Sequence, residues 1–505
     1  MTDNPNPRRR IRSAALKLHR WLGLSAMAWL VVLGTTGIVL DHPEWRWAKQ
    51  WTVTEAFGTA HVLEEEAKGT MLRQFQINPD NPSQWLAGGE RGLWRSADAG
   101  RTWQSVEYSA ADGVPALLSI APLPDAPWTR IFIGTDDGIW VVDGGSGPAR
   151  RFALAGHSVS ELIAGSQDAT LVGTADGRRV FSLPLAQPDQ ISWTDLADST
   201  IGNAPARIGL PRIATDLHFG NGMARGALST LISDFAGIAI VVLALTGLLQ
   251  WWLPRRWRRR KQSLSAGTRR NIYRWLFRGH GPVIGLLAIV PIVLLSLSGI
   301  FFDHPRALMR TMANVSISSA LLPTAFRPKN PAGEIRGLAT APGGWSIMTR
   351  LGVLHSADRG ATWLFDFEAP LLSHLKGGMI GMSQHDGVTF LGTHGGPNFY
   401  RTPDAPAWQP IPNLRMMIQD AQRIGDEWYM KGSGGFIRGS LDGRFTPLDT
   451  NLPDVTGMPF YNFLVDLHTG LVFHDQWIWV NDLVAVIAIL LAISGLVNWL
   501  YRRWI

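Results

Sequence analysis

Four stretches of near-continuous apolar character interrupt an otherwise polar chain, at 21–40, 228–253, 282–302 and 477–501. As helix, each is long enough to cross a hydrocarbon core of about 30 Å, so each is expected to span a membrane. Between the first and second spans, and again between the third and fourth, short runs alternate apolar with polar residues and break at Gly, Asp and Pro. That pattern predicts β-strands joined by tight turns. The boundaries this implies are a leading segment 1–18, a span 19–42, a β domain half 43–217 and a span with its lead-in 218–254. A loop 255–279, a span 280–304, a second β half 305–467, a span with its lead-in 468–501 and a tail 502–505 follow.

The two halves repeat each other. TGIVLDHP (36–43) closes the first span and SGIFFDHP (298–305) the third, while a DLH triplet (216–218, 466–468) precedes the second and the fourth. All four spans carry a hydroxyl residue before glycine: Thr36-Gly37, Thr246-Gly247, Ser298-Gly299 and Ser494-Gly495. The expected fold is therefore mixed: a four-helix transmembrane bundle from an internal duplication, plus an all-β external domain. Gly34 and Gly37 give the first span a small-residue notch for another helix or a flat ligand. Pro291 predicts a kink in the third span.

Within the β halves, SADAGRTW (96–103) and SADRGATW (356–363) share S-x-D-x-G-x-T-W and resemble the Asp-box of BNR-type β-propellers. The motif is mechanical: Asp98 and Asp358 are hairpin staples, Gly100 and Gly360 supply positive φ, and Trp103 and Trp363 cover the blade edge. Four weaker strand-turn-strand echoes, at 131–143, 171–183, 389–401 and 428–440, bring the units to three per half, or about six blades. Three blades cannot close a ring, so the halves are expected to complete one propeller, with two open sheets as the alternative. No arginine cluster with a tyrosine nucleophile argues for a sialidase.

Charge orients the spans. Eighteen Lys and Arg residues lie in 1–20, 254–280 and the last four positions with one acid, Asp3, although the whole chain carries only +7. Cationic flanks stay in the cytoplasm, so both termini are expected inside and both β halves outside, in a bacterial inner membrane. The RRWRRRK run at 255–261 reads as a topology determinant rather than a nucleic-acid site. The first span reads as a retained anchor rather than a cleaved signal. With no cysteine, thiol catalysis and Cys-ligated metals are excluded, leaving His, Asp, Glu and Met as ligands.

Six histidines recur with the scaffold. His19 and His280 precede the inner ends of spans one and three, and His42, His218, His304 and His468 lie at or just beyond outer ends. The DHP motifs repeat at an offset of 262, which carries His19 to Gly281, so pairing it with His280 needs a one-residue slip. Neutral imidazoles contributed in pairs by neighbouring helices are what a membrane b-type haem requires. One or two haems are expected, with His19 and His280 at an inner site and His42, His218, His304 and His468 as outer candidates. Asp41 and Asp303 beside the DHP histidines, and Asp234 and Asp482 one turn into spans two and four, are candidates to orient ligands or handle protons. Arg20 and Arg274 are candidates for haem propionates. His474 has no counterpart in the first half, and His355, His374, His385 and His394 read as loop residues of the propeller.

LHRWLGL (18–24) and DLHTGL (466–471), the latter followed by an Asp-bearing span ending ISGL, resemble the PepSY-associated transmembrane helix proteins. Residue by residue the resemblance covers His19, His218 and His468, and His280 more loosely, since its surroundings read HGPVIGL. It implies haem-containing inner-membrane reductases that release iron from ferric siderophores. The expected partners are thus the lipid bilayer, a ferric chelate and an external electron donor, quinol or a reductase, since neither a flavin nor a nicotinamide fingerprint is present. The alternatives are a propeller that binds or signals with merely interfacial histidines, and a transporter.

Overall fold

The structure, a computed structural model, describes residues 7–503 apart from 43–44, 54–71, 110–113, 124, 145, 166–169, 260–264, 305–311, 313–314, 342–343, 371–378, 394–396, 415, 417, 433–434 and 454–457. His374 and His394 lie outside the described residues. The chain divides into two compact units, one of Met1–Thr59, Ile213–Thr311 and Met458–Ile505, the other of Ala60–Arg212 and Met312–Gly457.

The first unit is helical. Its elements are α1 (Pro7–Leu40), α2 (Leu210–His218, which enters from the second unit), α3 (Ala227–Arg259), α4 (Ala266–Arg278), α5 (Leu286–Asp303), α6 (Phe460–Thr469) and α7 (Ile478–Arg503). Four helical stretches, Ile11–Leu40, Ala227–Arg259, Ala266–Asp303 and Asp475–Tyr501, are long and apolar enough to cross a membrane. In the bundle α1 packs on α3 and α7, and α5 on α7 and α3. Small side chains permit this: Ala26, Ala236, Ala239, Ala288 and Ala488 form its core with Leu30, Ile292, Val484 and Ile487. Gly34 and Gly237 mark the closest approach, since a Cβ on Gly34 would lie 2.8 Å from the Gly237 carbonyl oxygen. The notch in the first span thus serves helix packing at Gly34.

Helix α5 continues through Pro291, and the irregularity of this span lies upstream. Gly279–Gly285, between α4 and α5, is π-helical. A π-turn accommodates one extra residue within a continuous helix. His280 stands 18 residues before Ser298 where His19 stands 17 before Thr36. The bulge therefore absorbs the one-residue slip between the two copies.

The second unit is propeller-like: among the described residues six antiparallel blades follow in chain order, three from each half, five of them four-stranded and one carrying a parallel fifth strand. Innermost strands are Gln74–Ile77, Leu117–Leu123, Val159–Gly165, Ile335–Ala341, Met379–His385 and Ile418–Ile424. Each touches the next, and the last touches the first, so the halves close one ring. Their free edges are satisfied by neighbouring side chains. Phe75 N–H donates to Asp420 Oδ2 (3.1 Å) and Ile77 N–H to Gln422 Oε1 (2.7 Å) across the closing seam, and Thr340 N–H donates to Gln384 Oε1 (3.0 Å).

The Asp-box staples as its sequence implies. Thr102 N–H donates to Asp98 Oδ1 and Gly100 N–H to Ser96 Oγ, and the second copy repeats both bonds with Asp358 and Ser356, all four at 2.8 Å. Each box also receives the end of the other half. Thr200–Ile201 adds a parallel fifth strand to Thr362–Phe365, while Asn451 N–H donates to the Gly100 carbonyl and Trp103 Nε1 to that of Asn451.

Candidate functional site

Two pairs of imidazoles face each other in the helical unit. His19, on α1, and His280, in the π-helical turn, have ring centroids 6.0 Å apart. His218, ending α2, and His468, near the end of α6, are 6.3 Å apart. Each pair takes one histidine from each half. Local structure fixes the second pair: α6 stops at Gly470 in the left-handed region, φ +81°, and Asn481 Nδ2 caps it by donating to the carbonyls of His468 and Thr469. Trp29 Nε1 in turn donates to Asn481 Oδ1, at 2.7 Å, linking this cap to α1. His218 lies nearly parallel to Phe302, at 5.4 Å.

Every one of the four rings is gripped in the same way. His468 Nδ1 lies 2.7 Å from Thr36 Oγ1, His280 Nδ1 2.8 Å from Thr246 Oγ1, His19 Nδ1 2.9 Å from Ser494 Oγ and His218 Nδ1 3.4 Å from Ser298 Oγ. The glycine that follows each hydroxyl packs against the ring. A Cβ on Gly37, Gly247, Gly299 or Gly495 would meet Cε1 of His468, His280, His218 or His19 at 3.5–3.6 Å. The hydroxyl-glycine pairs, legible in the sequence as marks of duplication, are thus the seats of the histidines. Each grip joins one half to the other, so neither copy builds a site alone.

The remaining candidates fall elsewhere. His42 Nε2 is 3.1 Å from Asp234 Oδ2, and its ring stacks on Trp45 at 4.4 Å. His304 Nε2 is 2.5 Å from Asp482 Oδ2, and its ring sits 4.8 Å from that of Trp479. These rings do not pair with each other: their nitrogens are committed to carboxylates of the same half, and the carboxylates serve them rather than the paired rings. Asp41 bonds to Ser233, and Asp303 is the last residue of α5, with His304 as its cap. His474 accepts from Gln476 N–H at a short helical turn. His355 and His385 are strand rather than loop residues, because the blade hairpins extend through them.

Around His19 and His280 opens a cavity of about 1250 Å³. Its lining includes Arg12, Lys17, Arg20, Arg255, Arg274 and Arg278 and no carboxylate, so it suits an anionic ligand. Arg12 Nε and Trp251 Nε1, both on this wall, are buried polar atoms with no hydrogen-bond partner among the described residues.

Two imidazoles on opposite sides of one metal ion, each with a nitrogen-metal bond of about 2 Å, have centroids roughly 6 Å apart. Both pairs meet that requirement. No group of three or more His, Cys, Asp or Glu residues suited to a metal ion occurs among the described residues. Each pair offers two facing nitrogen donors rather than a polydentate cage.

Comparison with known proteins bears on this arrangement. The profile of the PepSY-associated TM region matches residues 16–502. No curated protein matches the sequence. Among solved structures, YCF48 from Cyanidioschyzon merolae is similar at 10% identity and TM-score 0.35, over 76% of this chain and 87% of that one. The extracellular domain of BT4673 from B. thetaiotaomicron is similar at 9% identity and TM-score 0.36, over 79% of this chain and 39% of that one. PorZ of Porphyromonas gingivalis is similar at 10% identity and TM-score 0.33, over 76% and 39%. This chain thus spans well under half the length of the latter two. The blade count rests on strand pairing alone.

Proposed function

Because the chain belongs to the PepSY-associated TM family, we propose that it is an inner-membrane, haem-dependent oxidoreductase that delivers electrons to a periplasmic ferric chelate. The observation that carries this reading is the pair of imidazole pairs, at 6.0 and 6.3 Å, near opposite ends of the spans. His19 and His280 would hold one haem b, His218 and His468 a second. Bound haem supplies one-electron chemistry. The protein's own residues do the rest. Hydroxyl groups orient the rings, the glycines pack against them, and the basic wall with Arg20 and Arg274 would receive the propionates of the first haem.

The two stations are separated by the 17 residues between His19 and Thr36 on α1, about 26 Å of helix. The positive flanks support a basic end that faces the cytoplasm. An external donor, quinol or a reductase, gives one electron there, and the ferric ion of a siderophore accepts one at the other face. Fe(II) is held more weakly by oxygen donors, so reduction releases iron from the chelate. The propeller is the docking surface for that chelate.

The test is spectroscopic. Full-length protein purified in detergent from haem-replete cells is expected to be reddish, with a Soret band that shifts on dithionite and returns when ferric siderophores are added. A colourless preparation sinks the proposal. A coloured one that ferric chelates cannot reoxidise leaves electron transfer standing and removes the substrate.

A further inference from the structure

The four hydroxyls do more than touch the rings, and hydrogen-bond bookkeeping shows what. A hydroxyl has one proton to give. Thr36 Oγ1 donates it to the Val32 carbonyl (2.7 Å) and Thr246 Oγ1 to that of Val242 (2.6 Å). Ser298 Oγ donates to the Leu295 carbonyl (3.0 Å) and Ser494 Oγ to that of Leu491 (3.2 Å). With that proton directed inside its own helix, each oxygen is left to accept at its second contact, the histidine nitrogen, and at three rings a backbone carbonyl of the same helix joins it: Leu491 at His19, Leu295 at His218 and Leu243 at His280. Resting on the haem reading above, we infer that Thr36, Thr246, Ser298 and Ser494 are positioning residues that hold the proton on Nδ1 of His468, His280, His218 and His19, so that Nε2 is the ligand atom at all four stations.

This assignment uses no remote charge. A neutral imidazole carries one N–H, and which nitrogen bears it is set by the partner of the other. The acceptor on Nδ1–H also makes Nε2 a stronger donor, which favours the oxidised metal. Thr36, Thr246 and Ser494 hold their rings at 2.7–2.9 Å, whereas Ser298 stands 3.4 Å from His218. At the His218–His468 station the hydroxyl contact is therefore close at one ring and long at the other, where the Leu295 carbonyl also bonds His218, and at the His19–His280 station it is close at both.

Thr36→Val, Thr246→Val, Ser298→Ala and Ser494→Ala remove the hydroxyl acceptor, leave the backbone carbonyl contacts of His19, His218 and His280, and keep the ring's room. In potentiometric titration of the detergent-purified protein, each of the first, second and fourth is expected to shift one of two midpoints upward and weaken haem retention about 10-fold. Ser298→Ala is expected to shift least, and Thr36→Ser and Ser494→Thr to restore wild-type values. Unchanged midpoints in all four acceptor-less variants overturn the inference, because a merely structural contact would lower stability without moving a potential. Nitrogen-15 spectra of histidine-labelled protein decide the point independently of haem. Protonation of the four rings at Nδ1 supports the assignment even in a colourless protein, where only the function proposed above fails, and protonation at Nε2 overturns it.

Discussion

His304 Nε2 stands 2.5 Å from Asp482 Oδ2, and His42 repeats the arrangement with Asp234 at 3.1 Å. An imidazole whose Nε2 is held by a carboxylate cannot offer that nitrogen to a metal without breaking the pair. His42→Ala and His304→Ala are therefore expected to keep full haem content, measured as pyridine haemochrome per protein. His218→Ala or His468→Ala should lose roughly half of it, and His19→Ala or His280→Ala the other half. Loss of haem in His42→Ala with retention in His468→Ala reverses the assignment.

Gly237→Ala tests the helix crossing. Its Cβ would lie 2.8 Å from Ile38 Cγ1 and 3.0 Å from the Gly34 carbonyl oxygen, a backbone atom that moves only with α1. Overpacking of this kind costs about 1–3 kcal/mol. The unfolding midpoint in detergent should fall by several degrees. Gly37→Ala, whose Cβ would meet His468 Cε1 at 3.6 Å, should leave that midpoint in place. Equal effects from the two would mean that the notch has one role rather than two.

The duplication was open to a reader of the sequence because it is written in linear motifs, and so were the Asp-box turns, whose bonds are local. Helix azimuth was not. DHP and DLH histidines look equivalent along the chain, yet His42 faces a carboxylate of its own half and His468 a hydroxyl of the other. The slip between His19 and His280 was visible as a number, but only the π-helical turn at Gly279–Gly285 gives it a physical cause. Thr36, Thr246, Ser298 and Ser494 were in plain view as a repeated dipeptide. Their partners lie up to 475 positions away, as Ser494 does from His19, so no local pattern names them.

Gln422→Ala tests ring closure. Its Oε1 accepts from Ile77 N–H and its Nε2 donates to the Ile77 carbonyl at 3.1 Å, joining the last blade to the first. The side chain is buried, so truncation strands the Ile77 N–H at about 1–3 kcal/mol for an unsatisfied group, while the carbonyl keeps Gln76 Nε2 at 3.2 Å. Tryptophan fluorescence should report a lower propeller unfolding midpoint, with the Soret spectrum unaltered. An unchanged midpoint would mean that the seam contributes nothing to the ring.

Asp420 makes the stability of the propeller depend on pH. Burial raises its carboxyl to about 7, against partial relief from the N–H groups of Phe75 and Ala421. Burial also raises Glu161, and the charge of Asp420 adds to that rise while Arg73 opposes it. In the unfolded chain a carboxyl titrates near 4. The native state therefore holds these protons more tightly; the stability that Asp420 confers is complete below about pH 4 and lost as pH rises through about 7, and Glu161 acts in the same sense. Carboxylates held low by hydrogen bonds, such as Asp98 and Asp442 at about 2, act only below that window. His385, lowered by burial, works in the opposite sense within it, so the comparison must be with a variant rather than with a flat line. Between pH 4 and 8 the propeller midpoint of Asp420→Asn should fall less steeply than that of the wild type, and Asp420→Asn with Glu161→Gln less steeply still. Parallel curves for all three proteins would show that both carboxyls are already charged at pH 4, and that the interior of the ring is wetter than its buried side chains imply.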